Sequence, residues 1–387
     1  MGLRFLTAGE SHGPALTVIL EGLPAGLVVS TERINARLKK RQGGYGRGPR
    51  MQIESDVIEW SSGLRFGETT GAPLSFRILN RDWENWKETL AHEGAQAPDR
   101  TVERPRPGHA DLAGGLKYDR KDLRDVLERA SARETASRVA VGAICSEMLA
   151  TLGIAVLGHV RSIGRVEGPA MARGIAEALS VVEASGLRCL DPEAEAKMRA
   201  EIEGATNTKD TLGGTIEIVA EGLMPGLGTH IQWDKRLDGL LAQAIMSIPA
   251  VKGVEIGLGF DAARMRGSEV HDPILYDEAL KRFARSSNRA GGIEAGMSNG
   301  EPLVVRAALK PLSTLRDPLP SIDVRTKESA PASIERSDVC VVPSASIVGE
   351  AMVAIVIARA VLEKFGSDSM RELVRNVAGY RAQIQSY

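Results

Sequence analysis

The sequence predicts an α+β fold in which strands and helices are segregated along the chain. Short apolar or alternating runs, typical of strands, follow one another through turn-like loops. Two much longer segments carry apolar and small residues at helical spacing and stop at a glycine. Because strands and helices do not alternate, a doubly wound parallel sheet is disfavoured, and we expect sheets packed on long buried helices.

Each element is predicted from its local pattern. The expected strands are residues 15–20, 53–60, 74–79, 215–221, 251–258 and 303–309. The expected helices are residues 122–152 and 346–365, which end at Gly153 and Gly366. Both helices are rich in alanine and valine nearly all round, so we expect them to be buried on most faces.

Two pairs of segments indicate an internal similarity. Residues 21–27, EGLPAGL, resemble residues 221–227, EGLMPGL, and residues 71–77, GAPLSFR, resemble residues 300–306, GEPLVVR. Internal duplication and chance similarity both remain open. A duplication would divide one domain, residues 1–387, into halves of about 1–155 and 156–387, layered as sheet, helices and sheet. The second half would carry an extra loop within residues 261–299.

Composition excludes several classes of protein. The 387 residues carry 49 Lys+Arg against 50 Asp+Glu, and this balance argues against a general nucleic-acid binder. Cys145, Cys189 and Cys340 lie far apart, so neither a disulfide framework nor a zinc site is indicated. No signal peptide is visible, and the apolar stretch 348–362 is too short to span a bilayer. We therefore expect a cytoplasmic enzyme with no membrane partner.

A basic run with no acidic residue lies at residues 33–50 and continues into a glycine-rich loop. Its residues Arg41, Arg47 and Arg50 could bind phosphate or carboxylate groups, because glycines let the backbone approach a ligand and arginines donate in pairs. A solvated basic loop and an RNA-binding segment are the alternatives. The scarcity of aromatic residues, 4% of the chain, argues against RNA.

Two further loops contain histidines. Residues 7–13, TAGESHG, place Ser11 beside His12, which would suit a nucleophile and its base, a phosphate loop or a plain turn. No GxSxG elbow supports the nucleophile. In residues 103–111, ERPRPGHAD, prolines on both sides of Arg106 fix the direction of Arg106 and His109.

A fourth cationic group lies in the first predicted long helix. Arg129 and Arg133 are four residues apart and would share one helix face. Buried arginines need an anionic partner, which could be a ligand. Intrahelical ion pairs, Arg129 with Asp125 and Arg138 with Glu134, would serve equally well.

Several fingerprints are missing. The chain has no P-loop, no GxGxxG after a strand and no acidic pairs at metal-ligand spacing, so neither a standard nucleotide site nor a metal is predicted. Together with the turn KPLST at residues 310–314, the arginine and glycine loops around two histidines predict a site for a small, multiply charged anion.

Seven segments in order resemble the chorismate synthase family, from residue 3 to beyond residue 360. They are GESHGPAL from Gly9, KRQGGYGRGPRMQIESD from Lys40, RPGHADLAGGLKY from Arg106, ERASARETASRVAVGA from Glu128, NRAGGIEAGMSNG from Asn288, KPLSTL from Lys310 and RSDVCVVP from Arg336. The chain departs from the family pattern at Lys40, Ala130, Pro249 and Ala295, where arginine, serine, a polar residue and glycine are common. At Pro249 and Ala295 we expect altered packing rather than lost binding.

The resemblance implies a beta-alpha-beta sandwich with long central helices between two antiparallel sheets, assembled as a homotetramer. It implies loss of phosphate from 5-enolpyruvylshikimate-3-phosphate by anti 1,4-elimination to give chorismate, with reduced FMN required but no net redox change. NADPH is left open as the reductant of the flavin. An FMN-dependent oxidoreductase or flavin reductase acting on a small anionic substrate is the alternative.

The resemblance also implies roles for individual residues. His12 would protonate the leaving phosphate, His109 would tune the flavin, and Asp338 would relay a proton at flavin N5. The substrate would contact Ser11, Arg41, Arg47, Arg50, Arg106, Arg133 and Arg336. The flavin would contact Arg129, Ala130, Ser131, Pro249, Ala250, Ala295, Lys310, Pro311, Leu312, Ser313, Thr314 and Arg336.

Overall fold

A computed structural model describes residues 2–46, 56–94, 100–279, 281–335 and 338–387. Its first main sheet is antiparallel, with four strands in the order β1–β2–β6–β3. These strands are β1 (Arg4–Ala8), β2 (Ala15–Glu21), β3 (Ile58–Ser62) and β6 (Leu74–Leu79). A short hairpin of β4 (Leu64–Arg65) and β5 (Glu68–Thr69) connects β3 to β6.

The second main sheet is also antiparallel, with strands in the order β10–β15–β9–β7–β8. They are β7 (Ala155–Ile163), β8 (Val166–Glu167), β9 (Gly214–Glu221), β10 (Val251–Ile256) and β15 (Leu303–Leu309). The smaller hairpins pair β11 (Ile274–Asp277) with β12 (Arg282–Arg285), β13 (Ile293–Glu294) with β14 (Met297–Ser298), and β16 (Pro320–Ile322) with β17 (Ser329–Pro331).

The helices are numbered in chain order. They are α1 (Thr31–Gln42), α2 (Asp111–Tyr118), α3 (Arg124–Ala130), α4 (Thr135–Thr151), α5 (Ile175–Ala184), α6 (Pro192–Asn207), α7 (Leu237–Met246), α8 (Gly267–Val270), α9 (Val342–Phe365) and α10 (Met370–Gln385).

Alternation of apolar residues explains the first sheet. Three apolar residues of β2 each pair with an apolar residue of β6, and all six side chains are buried. The pairs are Leu16 with Ile78, Val18 with Phe76, and Leu20 with Leu74. The intervening residues of β2, such as Ile19, point to the opposite, exposed face. One face of this sheet therefore belongs to the core.

Helices α4 and α9 connect the two sheets. Helix α4 packs on β2 and on α9, and α9 packs on β7 and β9. The α4–α9 contact is close at Gly142, where an added Cβ would lie 2.3 Å from the Ala351 Cβ. On its other side α9 brings Gly349 against Ile216 and Ile218 of β9. A single hydrophobic cluster accordingly includes residues of both sheets and both helices.

Most predicted elements are confirmed, with changes at their ends. The strands predicted at 15–20, 74–79, 215–221 and 303–309 are present, and the strand predicted at 251–258 ends at Ile256 because Gly257 turns the chain with φ 59°. The strand predicted at 53–60 is seen as β3, and residues 53–55 lie outside the described residues.

The last long helix is longer than predicted. It begins at Val342, four residues before the expected start, and its 24 residues are long and apolar enough to cross a membrane by length and composition. The prediction that this stretch is too short was therefore wrong about its length. In the folded protein 94% of its most apolar window is buried, as expected of a core helix.

The prediction of one helix over residues 122–152 was wrong. Ser131 has extended backbone angles, φ −65° and ψ 143°, and its hydroxyl accepts a hydrogen bond from the Arg133 amide. This capping interaction ends α3 and starts a 3-10 turn that leads into α4. Arg129 and Arg133 therefore do not share a helix face.

The two sheets have matching strand orders. Within the chain, β1, β2, β3 and β6 correspond in order and position to β7, β9, β10 and β15. In each half a helix, α1 or α7, precedes an edge strand, β3 or β10, and a long helix, α4 or α9, comes after the last strand of the sheet; in the second half α10 then follows α9. Residues 261–299 hold the additional hairpins of the second half. Internal duplication itself stays a prediction.

The close approach at Gly142 predicts that Gly142→Ala destabilises the protein by about 1–3 kcal/mol, because the added methyl group forces α4 and α9 apart. The matched control is Gly204→Ala in α6, where nothing lies within 4 Å of the added carbon. There alanine should stabilise the helix by about 0.5–1 kcal/mol. Thermal or denaturant unfolding measures both changes, and equal shifts would contradict this account of the α4–α9 contact.

Candidate active site

A cavity of about 780 Å³ lies where loops from both halves meet the start of α9. This volume is within the range that binds a drug-sized ligand. Most of the residues predicted for a site line it: Ser11, His12, Arg41, Arg106, His109, Ala130, Ser131, Arg133, Pro249, Ala250, Lys310, Leu312, Ser313, Thr314 and Asp338. The sequence segments that carry them are far apart, so the fold assembles the cavity.

His12 lies in the loop between β1 and β2 and is held by Glu128 of α3. The His12 Nδ1 atom is 2.9 Å from Glu128 Oε1 and 3.0 Å from Oε2. The His12 amide also donates to Glu128 Oε2, at 2.9 Å, and the imidazole stacks on Trp86 with ring centroids 3.8 Å apart. An ionised carboxylate only accepts hydrogen bonds, so Nδ1 carries a proton and donates it.

Glu128 stays ionised although it is buried. Burial raises the pKa of its carboxyl group, but the hydrogen bonds from His12 and the charge of Arg124 outweigh burial and hold the pKa below its ordinary value. The Arg124 guanidinium donates to Glu128 Oε1 at 3.2 Å. The ring of His12 is therefore next to a fixed negative charge.

His109 has a similar arrangement with Asp111, and an Arg106 nitrogen also lies 3.1 Å from His109 Nδ1. The His109 Nδ1 atom is 2.6 Å from Asp111 Oδ1, and Arg106 Nε donates to Asp111 Oδ2 at 2.8 Å. Arg106 also donates to Thr314 Oγ1, at 3.0 Å, which connects the loop to the 310–314 turn. Burial raises the pKa of Asp111, but its bonds to His109 and Arg106 place it far below the ordinary value.

Arg41 and Arg133 share a third buried carboxylate, Asp56. Arg133 donates to Asp56 Oδ1, and an Arg41 nitrogen lies 3.5 Å from Oδ2. Arg41 also donates to Thr135 Oγ1 at 3.0 Å and to the Ala132 carbonyl at 2.8 Å. A protein carboxylate thus supports both arginines, in addition to whatever ligand they bind.

Of the two intrahelical ion pairs that the sequence offered as an alternative, Arg129 with Asp125 and Arg138 with Glu134, the second is present. Arg138 pairs with Glu134 as expected, at 2.9 Å. Arg129 instead donates to the carbonyl oxygens of Thr7 and Gly9, at 3.0 Å each.

Three basic residues of α1 form ion pairs with carboxylates of other segments. Arg33 pairs with Glu147, Arg37 with Glu350, and Lys40 with Glu183. Over residues 33–42 the run is thus helical rather than a loop, Arg33 and Lys39 stay exposed to solvent, and carboxylates of other segments balance part of its charge.

Lys310 lies on the turn after β15. Its Nζ donates to Ser313 Oγ at 2.9 Å, and its amide donates to the Ala250 carbonyl at 2.9 Å. Burial and the charge of Lys252 lower the pKa of Lys310. Ala250 has φ 73°, a backbone conformation that is costly for a residue other than glycine. The 310–314 turn and residues 249–250 therefore form one wall of the cavity.

Some of the predicted residues are not brought to the cavity. Arg129 and Pro311 do not line it, and Arg47, Arg50 and Arg336 lie outside the described residues. Ala295 is exposed in the β13–β14 turn. The carbonyl of its neighbour Gly296 accepts a hydrogen bond from the amide of Leu237, the first residue of α7. Pro249, which lines the cavity, follows the other end of α7. A helix of 10 residues is about 15 Å long, so Ala295 and Pro249 lie near opposite ends of α7.

The backbone explains one departure from the family pattern. Ala295 has φ 48°, which glycine adopts without cost and alanine does not. The usual glycine at this position is thus accounted for by the turn. Because Ala295 is exposed, the expected change in packing has no counterpart within the chain.

Sequence analysis missed the residues that hold the histidines and arginines. Glu128, Asp111 and Asp56 are almost fully buried, and Trp86 stacks on His12. Asp111 could have been found from its spacing, two residues after His109. The other partners lie far from the groups they bind, so no local pattern reveals them. Among the residues that the structure describes, no group of acidic, histidine or cysteine side chains could hold a metal ion.

Comparison with known proteins identifies the family. The family model described as chorismate synthase matches residues 3–362. The chorismate synthases of Geobacter sulfurreducens and Solibacter usitatus are 53% and 54% identical, with 100% of both chains covered in each case. That of Aquifex aeolicus is 52% identical over 100% of this chain and 99% of its own.

A solved structure agrees with these relatives. A crystal structure of chorismate synthase superposes with a TM-score of 0.81 and 43% identity, covering 100% of this chain and 99% of that chain. Because the family model and the relatives extend over the whole chain or nearly so, the chain belongs to the chorismate synthase family of lyases.

Proposed function

We propose that the cavity catalyses the family's reaction, the loss of phosphate from 5-enolpyruvylshikimate-3-phosphate to give chorismate by anti 1,4-elimination. One observation carries the proposal: two histidines, each fixed through Nδ1 by a buried carboxylate, line one cavity together with Arg41, Arg106 and Arg133. Such a cavity suits a small, highly charged substrate whose carbon skeleton loses a proton while its leaving phosphate gains one.

The charge of the substrate matches the cations of the cavity. Two carboxylates and a phosphate carry roughly −3.5 to −4 charges near neutral pH. Arg41 and Arg133 both bind Asp56 and both line the cavity, where their guanidinium groups can donate paired hydrogen bonds to a phosphate or carboxylate. We assign Arg41, Arg106, Arg133 and Ser11 to the substrate, and Arg47, Arg50 and Arg336 by the family resemblance alone.

His12 is assigned to the leaving phosphate. Because Nδ1 is bonded to Glu128, a proton that His12 gives to the substrate leaves from Nε2. Histidine is the side-chain type most often used as a general acid and base in enzymes. His109 and Asp338 are assigned to proton control at the cofactor, and both line the same cavity.

The donor set of the cavity fits reduced FMN. The Lys310–Thr314 turn offers an ammonium and two hydroxyl groups for its phosphate, and Ala130, Ser131, Pro249 and Ala250 supply a mixed apolar and polar wall. When bound, the reduced flavin lends electron density to the substrate and takes up the released proton, with no net redox change. Arg129, Pro311 and Ala295 are assigned to this cofactor by resemblance alone.

The wider assignments rest on the family and the topology. The matching strand orders, and the helices that pack between the sheets, support one domain of residues 1–387 built as a duplicated beta-alpha-beta sandwich. We also propose a cytoplasmic homotetramer that binds neither nucleic acid nor membrane. Light scattering of the purified protein would measure the tetramer.

The proposed reaction should give chorismate and phosphate only when the flavin is reduced. Under anaerobic conditions, the protein with 5-enolpyruvylshikimate-3-phosphate and chemically reduced FMN should release chorismate and phosphate in equal amounts, measured by absorbance and phosphate assay. Oxidised FMN is the control and should support no turnover. Absence of product with fully reduced flavin would overturn the proposal.

A second prediction concerns whether the protein can reduce FMN with NADPH. The sequence has no standard dinucleotide fingerprint, so NADPH with FMN and protein alone should not bleach the flavin absorbance. Chemical reductant serves as the positive control. Bleaching by NADPH would establish self-reduction, and sustained NADPH oxidation without chorismate formation would favour the flavin reductase alternative.

The assigned roles predict opposite effects of two substitutions. His12→Ala should lower kcat by about 100-fold or more while flavin affinity changes little, because general acid catalysis is lost. Lys310→Ala should weaken FMN binding about tenfold or more and change kcat less at saturating flavin, because an interaction with the cofactor phosphate is lost. Flavin titration and turnover together measure the split; equal effects of the two variants would contradict it.

A further inference from the structure

Glu128 forms hydrogen bonds with three groups of the Ser11–His12 loop. Its carboxylate binds both the amide and the Nδ1 atom of His12, at 2.9 Å, and its own carbonyl accepts from the Ser11 amide at 3.0 Å. The two segments are 116 residues apart in the chain. One glutamate therefore sets both the position of the loop and the rotation of the imidazole ring.

Glu128 is itself locked in place. Arg124, one helical turn earlier, donates to Glu128 Oε1 at 3.2 Å and to the Arg100 carbonyl at 2.7 Å. A third nitrogen of Arg124 donates to Glu335 at 3.2 Å. Because Arg124 is divided between two carboxylates, it does not cancel the charge that Glu128 presents to His12.

The other face of this contact is aromatic. The His12 ring stacks on Trp86 with an interplanar angle of 23°, and Trp86 Nε1 donates to Asp82 at 3.0 Å. Arg100 and Arg124 lie 4.6 and 5.2 Å from the Trp86 ring. An indole face attracts an imidazolium more than a neutral imidazole.

The charged groups near His12 have both signs. Negative groups on the elements around His12 include Glu128 on α3, Asp82 bonded to Trp86, Glu335 bonded to Arg124, and Glu10 in the same loop; positive groups there include Arg124 and Arg100. Glu128 is in direct contact with the ring, with its Oε1 atom 2.9 Å from His12 Nδ1. The negative charge of Glu128 therefore favours the protonated form of the ring over the neutral form.

We propose that Glu128 is the positioning residue for His12: it directs Nε2 toward the reacting phosphate and stabilises the protonated ring that must deliver the proton. The inference rests on the proposed function for its catalytic meaning. Glu128 is not itself in contact with the reacting atoms, so it acts only through His12.

The stacked indole gives a readout that does not depend on turnover. An imidazolium in contact with tryptophan quenches its fluorescence more than a neutral imidazole does. The pH dependence of Trp86 emission therefore reports protonation of His12, and subtracting the emission of Trp86→Phe removes the other tryptophans. Glu134→Gln is the matched control, because Glu134 bonds to Arg138 and Thr7 and not to His12.

The sign of the expected shift follows from the charge. A carboxylate favours the protonated ring, so Glu128→Gln should move the midpoint of the fluorescence titration down by about one pH unit or more. The alkaline limb of the kcat profile should move by the same amount, so turnover above both midpoints falls about tenfold. KM should change little, and Glu134→Gln should leave the midpoint unchanged.

Each outcome decides between the two hypotheses. An unchanged midpoint in folded Glu128→Gln overturns the positioning role, whatever the activity. If the midpoint shifts as expected but the wild-type protein makes no chorismate, the interaction of Glu128 with His12 is supported and the proposed function is rejected. If circular dichroism shows that Glu128→Gln is unfolded, Glu128→Asp decides: its carboxylate is drawn back by one methylene, so a smaller downward shift is expected and an unchanged midpoint overturns the role.

Discussion

Three buried carboxylates, each shared by two basic side chains, hold the cavity together. They are Asp56 between Arg41 and Arg133, Asp111 between Arg106 and His109, and Glu128 between Arg124 and His12. A buried cation without such a partner costs several kcal/mol, and a partner held by further hydrogen bonds offsets most of that cost. Each of these carboxylates therefore fixes two basic side chains at once.

These shared carboxylates also explain the local course of the chain. The break at Ser131 separates α3, which carries Glu128 toward His12, from the turn that carries Arg133 toward Asp56. In a continuous helix Glu128 and Arg133 would point about 140° apart around one axis, whereas the break lets each side chain take the direction of its own partner. The close α4–α9 contact at Gly142 then joins the halves whose loops meet at the cavity.

The sequence predicts the apolar framework well because burial leaves a local periodic pattern. The alternation in β2 and β6 and the apolar, alanine- and valine-rich composition of α9 are such patterns, and both were recognised, although α9 starts four residues earlier than predicted. The break at Ser131 was missed because the surrounding residues favour helix and the competing contact comes from Asp56, 77 residues away from Arg133. The partners of His12 were missed for the same reason, since Glu128 and Trp86 are close to it only in the fold. Ala295 shows that a recognisable motif does not by itself predict position in the fold, because this residue lies in an exposed turn away from the cavity.

The central claim is that both histidines are fixed through Nδ1, so that proton transfer to or from the cavity uses Nε2. Nitrogen-15 NMR of the histidine side chains, assigned with His12→Gln and His109→Gln, tests it directly. Above the midpoint of each titration, both neutral rings should carry their proton on Nδ1, as the bonds to Glu128 and Asp111 require. A neutral ring protonated on Nε2 at either position would contradict the account.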